Sequence, residues 1–268
     1  METTIKKATK INQSITLKAL IIGFLTLILL IPGLMIQDLI RERQNRSLET
    51  IEKINNKWSN AQTFCGPVIS IPYTTTQINP DNKTTIQEHL LNITPENLNI
   101  TTQLFPEERY YGIYKTILYK SEIDITGNFD KINFPKPENS IIHWEQAYLS
   151  IGVSDLRGIT ENIDFKLDNK QLSVEATGNL DTQIGKMLVM PLKNTDPLLF
   201  SQPQTFNCKL KLNGSSSINF IPIGKTTKVH VTGNWKSPGF IGNFSPEHHI
   251  TEKGFEADWS ILSFSRSI

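Results

Sequence analysis

The sequence has few of the groups from which catalytic, redox or phosphate-binding sites are built. It contains two cysteines, Cys65 and Cys208, which lie too far apart for a C-x-x-C motif. It also lacks a G-x-S-x-G elbow, an H-E-x-x-H helix, a P-loop, a G-x-G-x-x-G fingerprint and an EF-hand loop. We therefore predict that the protein is not an enzyme and has no catalytic, cofactor-binding or metal-binding residues.

An excess of charge of one sign is also missing. The chain has 27 basic and 26 acidic residues, which gives a formal net charge of +1. Binding to nucleic acid phosphates requires clustered Lys and Arg. The charge balance therefore excludes nucleic acid as the main partner.

The two cysteines leave two structural alternatives. A disulfide between Cys65 and Cys208 is allowed if the domain lies outside the cytosol. Free cysteine, however, is among the most frequently buried residue types. We therefore favour two separate buried thiols.

One long apolar run is present near the N-terminus. Residues Ala19–Ile36 contain no charge and, at ~1.5 Å per helical residue, span roughly 27 Å, close to the thickness of a bilayer core. The run can extend to Ile40 if the helix tilts. A cleaved signal peptide is disfavoured because no small-x-small site follows the run, and a buried core helix because there is no polar stripe. We predict a membrane-spanning helix over 19–36 after a short tail over 1–18.

The chain between the apolar run and the β-rich region is predicted to remain helical. Leu48, Ile51, Ile54 and Trp58 recur at helical spacing within a juxtamembrane helix over 37–60. Basic residues flank the apolar run almost equally on its two sides. They are Lys6, Lys7, Lys10 and Lys18 before it, and Arg41, Arg43, Arg46 and Lys53 after it. The positive-inside rule therefore leaves the orientation open.

Residues 61–268 have the period-two alternation of β-strands. The predicted strands begin after Gly66-Pro67 and include Ile113–Tyr119 and Ile123–Phe129 as two neighbouring strands. A hairpin tip is predicted over Thr74–Thr85, and a connector over Phe134–Asn139. The fold class expected from this pattern is mainly β: one N-terminal transmembrane helix followed by an antiparallel, β-sandwich-like domain.

One local motif suggests a recognition corner. Asp155-Leu156-Arg157-Gly158 follows the apolar segment Tyr148–Val153, and Asp155 and Arg157 can form a charge-assisted hydrogen bond. Gly158 permits backbone geometry that other residues resist. The corner is either functional or a turn held by an ion pair, and we favour the second reading. The histidines His143, His230, His248 and His249 are interpreted as structural or surface residues.

Several segments, taken in order, resemble the CreD family of bacterial inner-membrane proteins, which are described as cell-envelope-integrity or colicin-tolerance proteins. The segments that carry the resemblance are Leu30-Ile31-Pro32, Ile40-Arg41-Glu42-Arg43, Gly66–Tyr73, Gly112-Ile113-Tyr114, Ile151–Ile159, Gly233-Asn234-Trp235, Pro238–Phe244 and Gly254–Trp259. The resemblance implies an inner-membrane location, a cytoplasmic tail over 1–18, a single membrane pass in this chain and a periplasmic β-rich domain over 61–268. The resemblance also implies a C-terminal half with several more membrane helices, so the chain is expected to be a truncated or split gene product, or a fragment.

Three functions are compatible with these observations. The first is a non-enzymatic envelope protein that supports cell-surface integrity and stress or colicin tolerance. Its partners would be the lipid bilayer and, as an open alternative, other envelope proteins. The second is a periplasmic lipid- or glycolipid-binding carrier module anchored in the membrane. The third is an enzyme in which Asp155 acts with Glu161 or Asp164, and we rank it last.

Overall fold

The computed structural model describes residues 15–78, 81, 84–132, 134, 137–176, 186–192 and 200–266. The predicted cytoplasmic tail lies almost wholly outside these residues, as does the middle of the predicted hairpin tip. Two compact units are present, Met1–Thr50 and Ile51–Ile268.

A single α-helix, α1, covers Ile15–Trp58. The side chains of the first unit's apolar run are exposed, and the helix is long and apolar enough to cross a membrane. Pro32 lies inside the helix without ending it. The segments predicted as a membrane helix and a juxtamembrane helix therefore form one continuous element, since no strong helix stop separates them.

Fifteen strands are found among the described residues of the second unit. They are β1 (Gln62–Ile78), β2 (Thr84–Ile93), β3 (Asn97–Tyr111), β4 (Tyr114–Phe129), β5 (Ser140–Ile142), β6 (Tyr148–Val153), β7 (Asp164–Leu167), β8 (Lys170–Leu172), β9 (Glu175–Ala176), β10 (Lys186–Pro191), β11 (Gln204–Ser215), β12 (Ile218–Ile221), β13 (Thr226–Gly233), β14 (Glu247–Thr251) and β15 (Gly254–Leu262). Short 3₁₀ turns cover Trp144–Gln146, Leu156–Gly158 and Ser263–Ser265.

The strands form two sheets. In the β1 sheet the order is β12-β1-β6-β10-β9, with β2 and β5 also paired to β1. In the β4 sheet the order is β14-β15-β13-β3-β4-β11-β7-β8. Most pairs are antiparallel, as predicted, but β1 pairs with β12 and β3 pairs with β13 in parallel. The predicted fold class is confirmed, and the parallel pairs are an addition to it.

The hydrophobic core draws on both sheets. Phe64, Ile69 and Ile151 come from the β1 sheet, and Ile125 and Phe206 from the β4 sheet. Alternate residues along these strands are buried, as in β11, where polar positions separate the buried ones. The core therefore explains the period-two pattern of the sequence.

Two predicted strand boundaries were wrong. The segments Ile113–Tyr119 and Ile123–Phe129 are one strand, β4, because Ser121 is buried and its hydroxyl donates a hydrogen bond to the Leu212 carbonyl. β1 begins at Gln62, before Gly66-Pro67. The peptide bond between these two residues is cis, and Gly66 has a φ of +127° at a shift in strand register. A polar or flexible residue within a strand therefore does not always mark a loop.

Both cysteines are free and buried. Cys65 lies in β1 and Cys208 in β11, so they belong to different sheets. Burial raises the pKa of the Cys65 thiol to about 11 and that of the Cys208 thiol to about 12. The favoured alternative of two separate buried thiols is confirmed.

Candidate functional site

The Asp155–Gly158 corner is a capped 3₁₀ turn that follows β6. Asp155 is extended, and its carboxylate accepts a hydrogen bond from the backbone N–H of Arg157 at 3.1 Å. The Arg157 guanidinium also donates to both carboxylate oxygens, at 2.9 Å from Nε and 2.6 Å from Nη2. This two-pronged contact is among the stronger arrangements of an ion pair. The structure thus places Asp155 and Arg157 together, in a turn.

A buried glutamine connects the corner to two other segments. Gln62 is fully buried, and its Nε2 lies within 3.0 Å of the Asp155 and Asn213 carbonyl oxygens and 2.8 Å from the Ser59 hydroxyl. Its Oε1 accepts hydrogen bonds from the Asp155 N–H and the Ser154 hydroxyl, each at 3.2 Å. Sequence reasoning missed Gln62, because nothing in the sequence distinguishes it from an exposed polar residue.

The corner also binds the C-terminal end of α1. Arg157 Nη1 donates to the Asn56 carbonyl at 2.8 Å, and the Asn60 N–H donates to Asp155 Oδ2 at 3.1 Å. A cation at this position donates a hydrogen bond to a carbonyl at the helix end and interacts favourably with the negative end of the helix dipole. The Asp155–Arg157 pair therefore fixes the point at which the helix enters the β-rich unit.

Two further contacts hold the last turns of α1. The Thr116 hydroxyl donates to Asn55 Oδ1 at 3.2 Å, and Trp58 Nε1 donates to the Tyr119 carbonyl at 3.5 Å. Ile51, Ile54, Asn55 and Trp58 are the partly buried residues of this segment and recur at helical spacing. Three residues of the apolar stripe noted in the sequence, Ile51, Ile54 and Trp58, thus pack on the domain of their own chain, whereas Leu48 is exposed.

Gly158 leaves no space for a side chain. A Cβ built there would lie 2.3 Å from the Asn213 carbonyl oxygen and 2.5 Å from Gln62 Nε2. Its φ is not in the left-handed region, so lack of space, and not backbone conformation, requires the glycine at this position.

The electrostatics of the corner do not favour proton transfer near neutral pH. The hydrogen bonds from the Arg157 guanidinium, opposed by burial, lower the pKa of Asp155 to about 2. A general acid or base works best when its pKa lies near the working pH. Asp155 therefore remains a carboxylate at neutral pH, and its oxygens are occupied by Arg157 and Asn60.

The acidic residues near the corner have other partners. Glu161 pairs with Lys211 at 3.0 Å, and Asp164 pairs with Lys166 at 3.5 Å. The pairing of Asp155 with Glu161 or Asp164, which an enzyme would need, has no support from these contacts. The functional reading of Asp155, Arg157 and Gly158 stays a prediction.

A second acid–base cluster lies on the outer face of the β4 sheet. His230 Nδ1 lies 2.8 Å from Asp258 Oδ1, and His230 Nε2 lies 3.8 Å from Glu256 Oε1. Three ligand atoms of these residues lie within 4.8 Å of one another, so the cluster could hold a metal ion. The side chains of Glu256 and Asp258 are more than half exposed, and we assign them no metal role. In the sequence, the spacing Glu256-x-Asp258 places two carboxylates on one face of a strand. His230 joins them through the pairing of β13 with β15, which the sequence does not reveal.

Of the other histidines, His249 lies opposite Glu256 of this cluster in the β14–β15 pair. His143 Nε2 lies 3.2 Å from the Thr74 hydroxyl. His248 and His249 are successive residues of β14 and therefore point to opposite faces.

Comparison with known proteins identifies the family. The family model described as "Inner membrane protein CreD" matches residues 14–268. The chain is 28% identical over 246 residues to the inner membrane protein CreD of Escherichia coli (strain K12), covering 90% of this chain and 54% of that protein. The chain thus spans about half the length of the curated relative it matches. It belongs to the CreD family of inner membrane proteins.

Proposed function

We propose that this chain is a non-enzymatic envelope protein that supports the integrity of the cell surface under stress or colicin attack. Its helix crosses the inner membrane once, and its β-rich domain stands on the periplasmic side. The observation that carries the proposal is the connection at Asp155–Arg157, where the polar groups bind the end of α1. A corner used in this way supports attachment and not turnover.

The contacts at the connection hold the last turns of α1 against the β-rich unit. Arg157 binds the Asn56 carbonyl, Thr116 binds Asn55, and Trp58 binds the Tyr119 carbonyl. A freely swinging carrier domain would not need the last turns of its anchor packed against the sheet. The bilayer is the first partner in this proposal, and other envelope proteins are further candidates.

The surface depressions give less support to a lipid carrier. One depression is lined by the apolar residues Leu104, Phe105 and Phe255 together with the charged residues Lys253 and Glu256. Sites for apolar ligands are mostly apolar and enclose most of the ligand. Charged walls of this kind do not suit an acyl chain, so the envelope-support function remains the proposal.

The functional test is rescue of a strain that lacks its own family member. We expect the native chain to restore growth in the presence of a detergent or a colicin. Arg157→Ala removes the contact with the Asn56 carbonyl and should weaken rescue at equal protein level. Lys166→Ala removes a surface ion pair with Asp164 and should rescue as well as the native chain. Equal rescue by both variants would show that the contact between Arg157 and α1 is not needed for the function. Failure of the native chain to rescue would overturn the proposal.

The orientation is tested by labelling an introduced thiol. Ile241 is 94% exposed, whereas Cys65 and Cys208 are buried. Ile241→Cys therefore adds a readily accessible thiol to the β-rich unit. In spheroplasts, a membrane-impermeant maleimide should label this variant before lysis and leave the native chain unlabelled. Labelling that requires lysis would place the domain in the cytoplasm.

A further inference from the structure

The tip of the β3–β4 hairpin exposes an unusual amount of apolar surface. Tyr110, Tyr111 and Ile113 are 64%, 66% and 82% exposed. Along β3 the alternation of buried and exposed residues ends at Pro106, and the last five residues, Glu107–Tyr111, are all exposed. The facing residues Thr116 and Leu118 of β4 are buried, so the part of the hairpin that leaves the core is the two-stranded ribbon Tyr110–Lys115.

The turn that ends this ribbon is tight and defined. Tyr111 pairs with Tyr114, so Gly112 and Ile113 form a two-residue loop. Gly112 has a φ of +60°, and Ile113 is not among the residues with positive φ. This combination fits a type II′ turn, which requires glycine at its first central position. The turn fixes Ile113 at the outermost point of the ribbon.

The charges of the ribbon and of the residues beside it neutralise one another. Lys115 forms an ion pair with Glu108, and Arg109 forms one with Glu107. The Tyr110 hydroxyl donates to Glu108 at 2.7 Å. With two acids and two bases paired locally, the tip presents tyrosine rings and an isoleucine with no net charge. Such a surface needs an apolar or amphipathic partner, because exposed apolar clusters mark interaction sites.

The direction of the ribbon relates it to the anchor. Trp58 contacts β4 at Tyr119, and Asn55 contacts it at Thr116. Following α1 from Trp58 back to Asn55 therefore follows β4 towards the tip. The tip lies towards the end of this helix segment from which the chain leads back to its apolar run.

The chain between Asn55 and the apolar run is short. From Asn55 back to Ile40, at the end of the extended apolar run, the helix has a length of about 22 Å. From Thr116 to Gly112 the strand spans about 13 Å. Measured along the chain, the hairpin thus extends beyond Thr116 by over half of the length that separates Asn55 from the apolar run.

We propose that Tyr110, Tyr111 and Ile113 insert into the interfacial layer of the bilayer that anchors the chain. Tyrosine is enriched at membrane interfaces, where the ring contacts apolar groups and the hydroxyl remains hydrated. Because the tip is neutral, the contact does not require anionic lipid. The β-rich unit then has two membrane attachments, α1 and this tip. The proposal rests on the membrane anchor and is independent of the role in envelope integrity.

The experiment places a fluorophore at the tip of the full chain in liposomes of zwitterionic lipid. Ile113→Cys is labelled with a polarity-sensitive dye, and Ile241→Cys is the matched control, since both positions are exposed isoleucines in loops. Lipids that carry a nitroxide at the headgroup should quench the dye at 113 several-fold more than at 241. The dye at 113 should also emit at shorter wavelength than in detergent, and 1 M salt should change neither result.

Two results would overturn the proposal. Equal, weak lipid quenching at both positions, with efficient quenching at 113 by aqueous iodide, would leave the tip in water. Short-wavelength emission at 113 without lipid quenching would show that protein, such as a second copy of the chain, covers the tip. Circular dichroism of both labelled variants confirms that each retains the β fold.

Discussion

Two acid–base pairs in the β-rich unit have similar distances and different surroundings. Arg157 Nη2 lies 2.6 Å from Asp155 Oδ2, and His230 Nδ1 lies 2.8 Å from Asp258 Oδ1. The Asp155 side chain is 11% exposed, whereas that of Asp258 is 56% exposed. Asp155 also accepts hydrogen bonds from two backbone N–H groups. A short distance between two side chains therefore does not show that the pair stabilises the fold. Burial and hydrogen bonds to the backbone are the better indication.

The largest expected effect comes from filling the space at Gly158. In Gly158→Ala the new methyl group meets the Asn213 carbonyl and Gln62, so the turn must shift and the glutamine network must break. We expect a loss of stability of about 3 kcal/mol or more. The measurement is thermal unfolding of the full chain in detergent, followed by its β-sheet signal.

Gly239→Ala is the matched control for this substitution. A Cβ at Gly239 meets nothing within 4 Å, so we expect a change below about 0.5 kcal/mol. Similar losses in both variants would mean that the corner is not a tightly packed region.

A smaller effect is expected from Asp155→Asn. The substitution removes the charge that Arg157 binds, and at neutral pH we expect a loss of about 2 kcal/mol, estimated from the lowered pKa. Because the pKa of Asp155 falls from 3.8 when unfolded to about 2 when folded, its contribution is present above about pH 4. It is lost as the pH falls towards 2.

The pH dependence provides the control for this prediction. The difference in unfolding free energy between the native chain and Asp155→Asn should shrink as the pH falls from 4 to 2. A difference that stays constant through this range would show that the carboxylate charge is not the source of the stabilisation.

The smallest effect is expected at the exposed pair. His230→Thr should change stability by no more than about 0.5 kcal/mol, because contacts between exposed polar side chains contribute little. The same thermal unfolding measurement tests this. A loss as large as that of Asp155→Asn would remove the contrast between the two pairs. A rise in the native melting temperature with added Zn²⁺, absent from the variant, would identify a metal site.

The elements that depend on neighbouring residues could be predicted from the sequence. The apolar run predicted a helix suited to a membrane, and alternation predicted most of the strands, such as β11 and β15. The Asp155–Arg157 contact could also be predicted, since the two residues are close in the chain. These features require only local spacing.

Features that depend on distant residues could not be predicted. Gln62 is polar and has no local signal, and its role becomes visible only when Asp155 and Asn213 are placed around it. In the sequence Ser121 resembles a loop residue, and only the fold shows that its hydroxyl donates to the Leu212 carbonyl. The parallel partners of β1 and β3 have no signature in the sequence, because strand pairing at long range depends on the whole fold.

The parallel pairing of β1 with β12 also has a consequence for how the protein is made. Thr63 and Asn219 are register partners and lie 156 residues apart. At a synthesis rate of about 5–20 residues per second, the second partner is made roughly 8–30 s after the first. During this interval residues Gln62–Cys65 lack the partner that β12 supplies, and unpaired strand edges readily join other chains. The half-made domain is therefore the form most exposed to aggregation and to proteases.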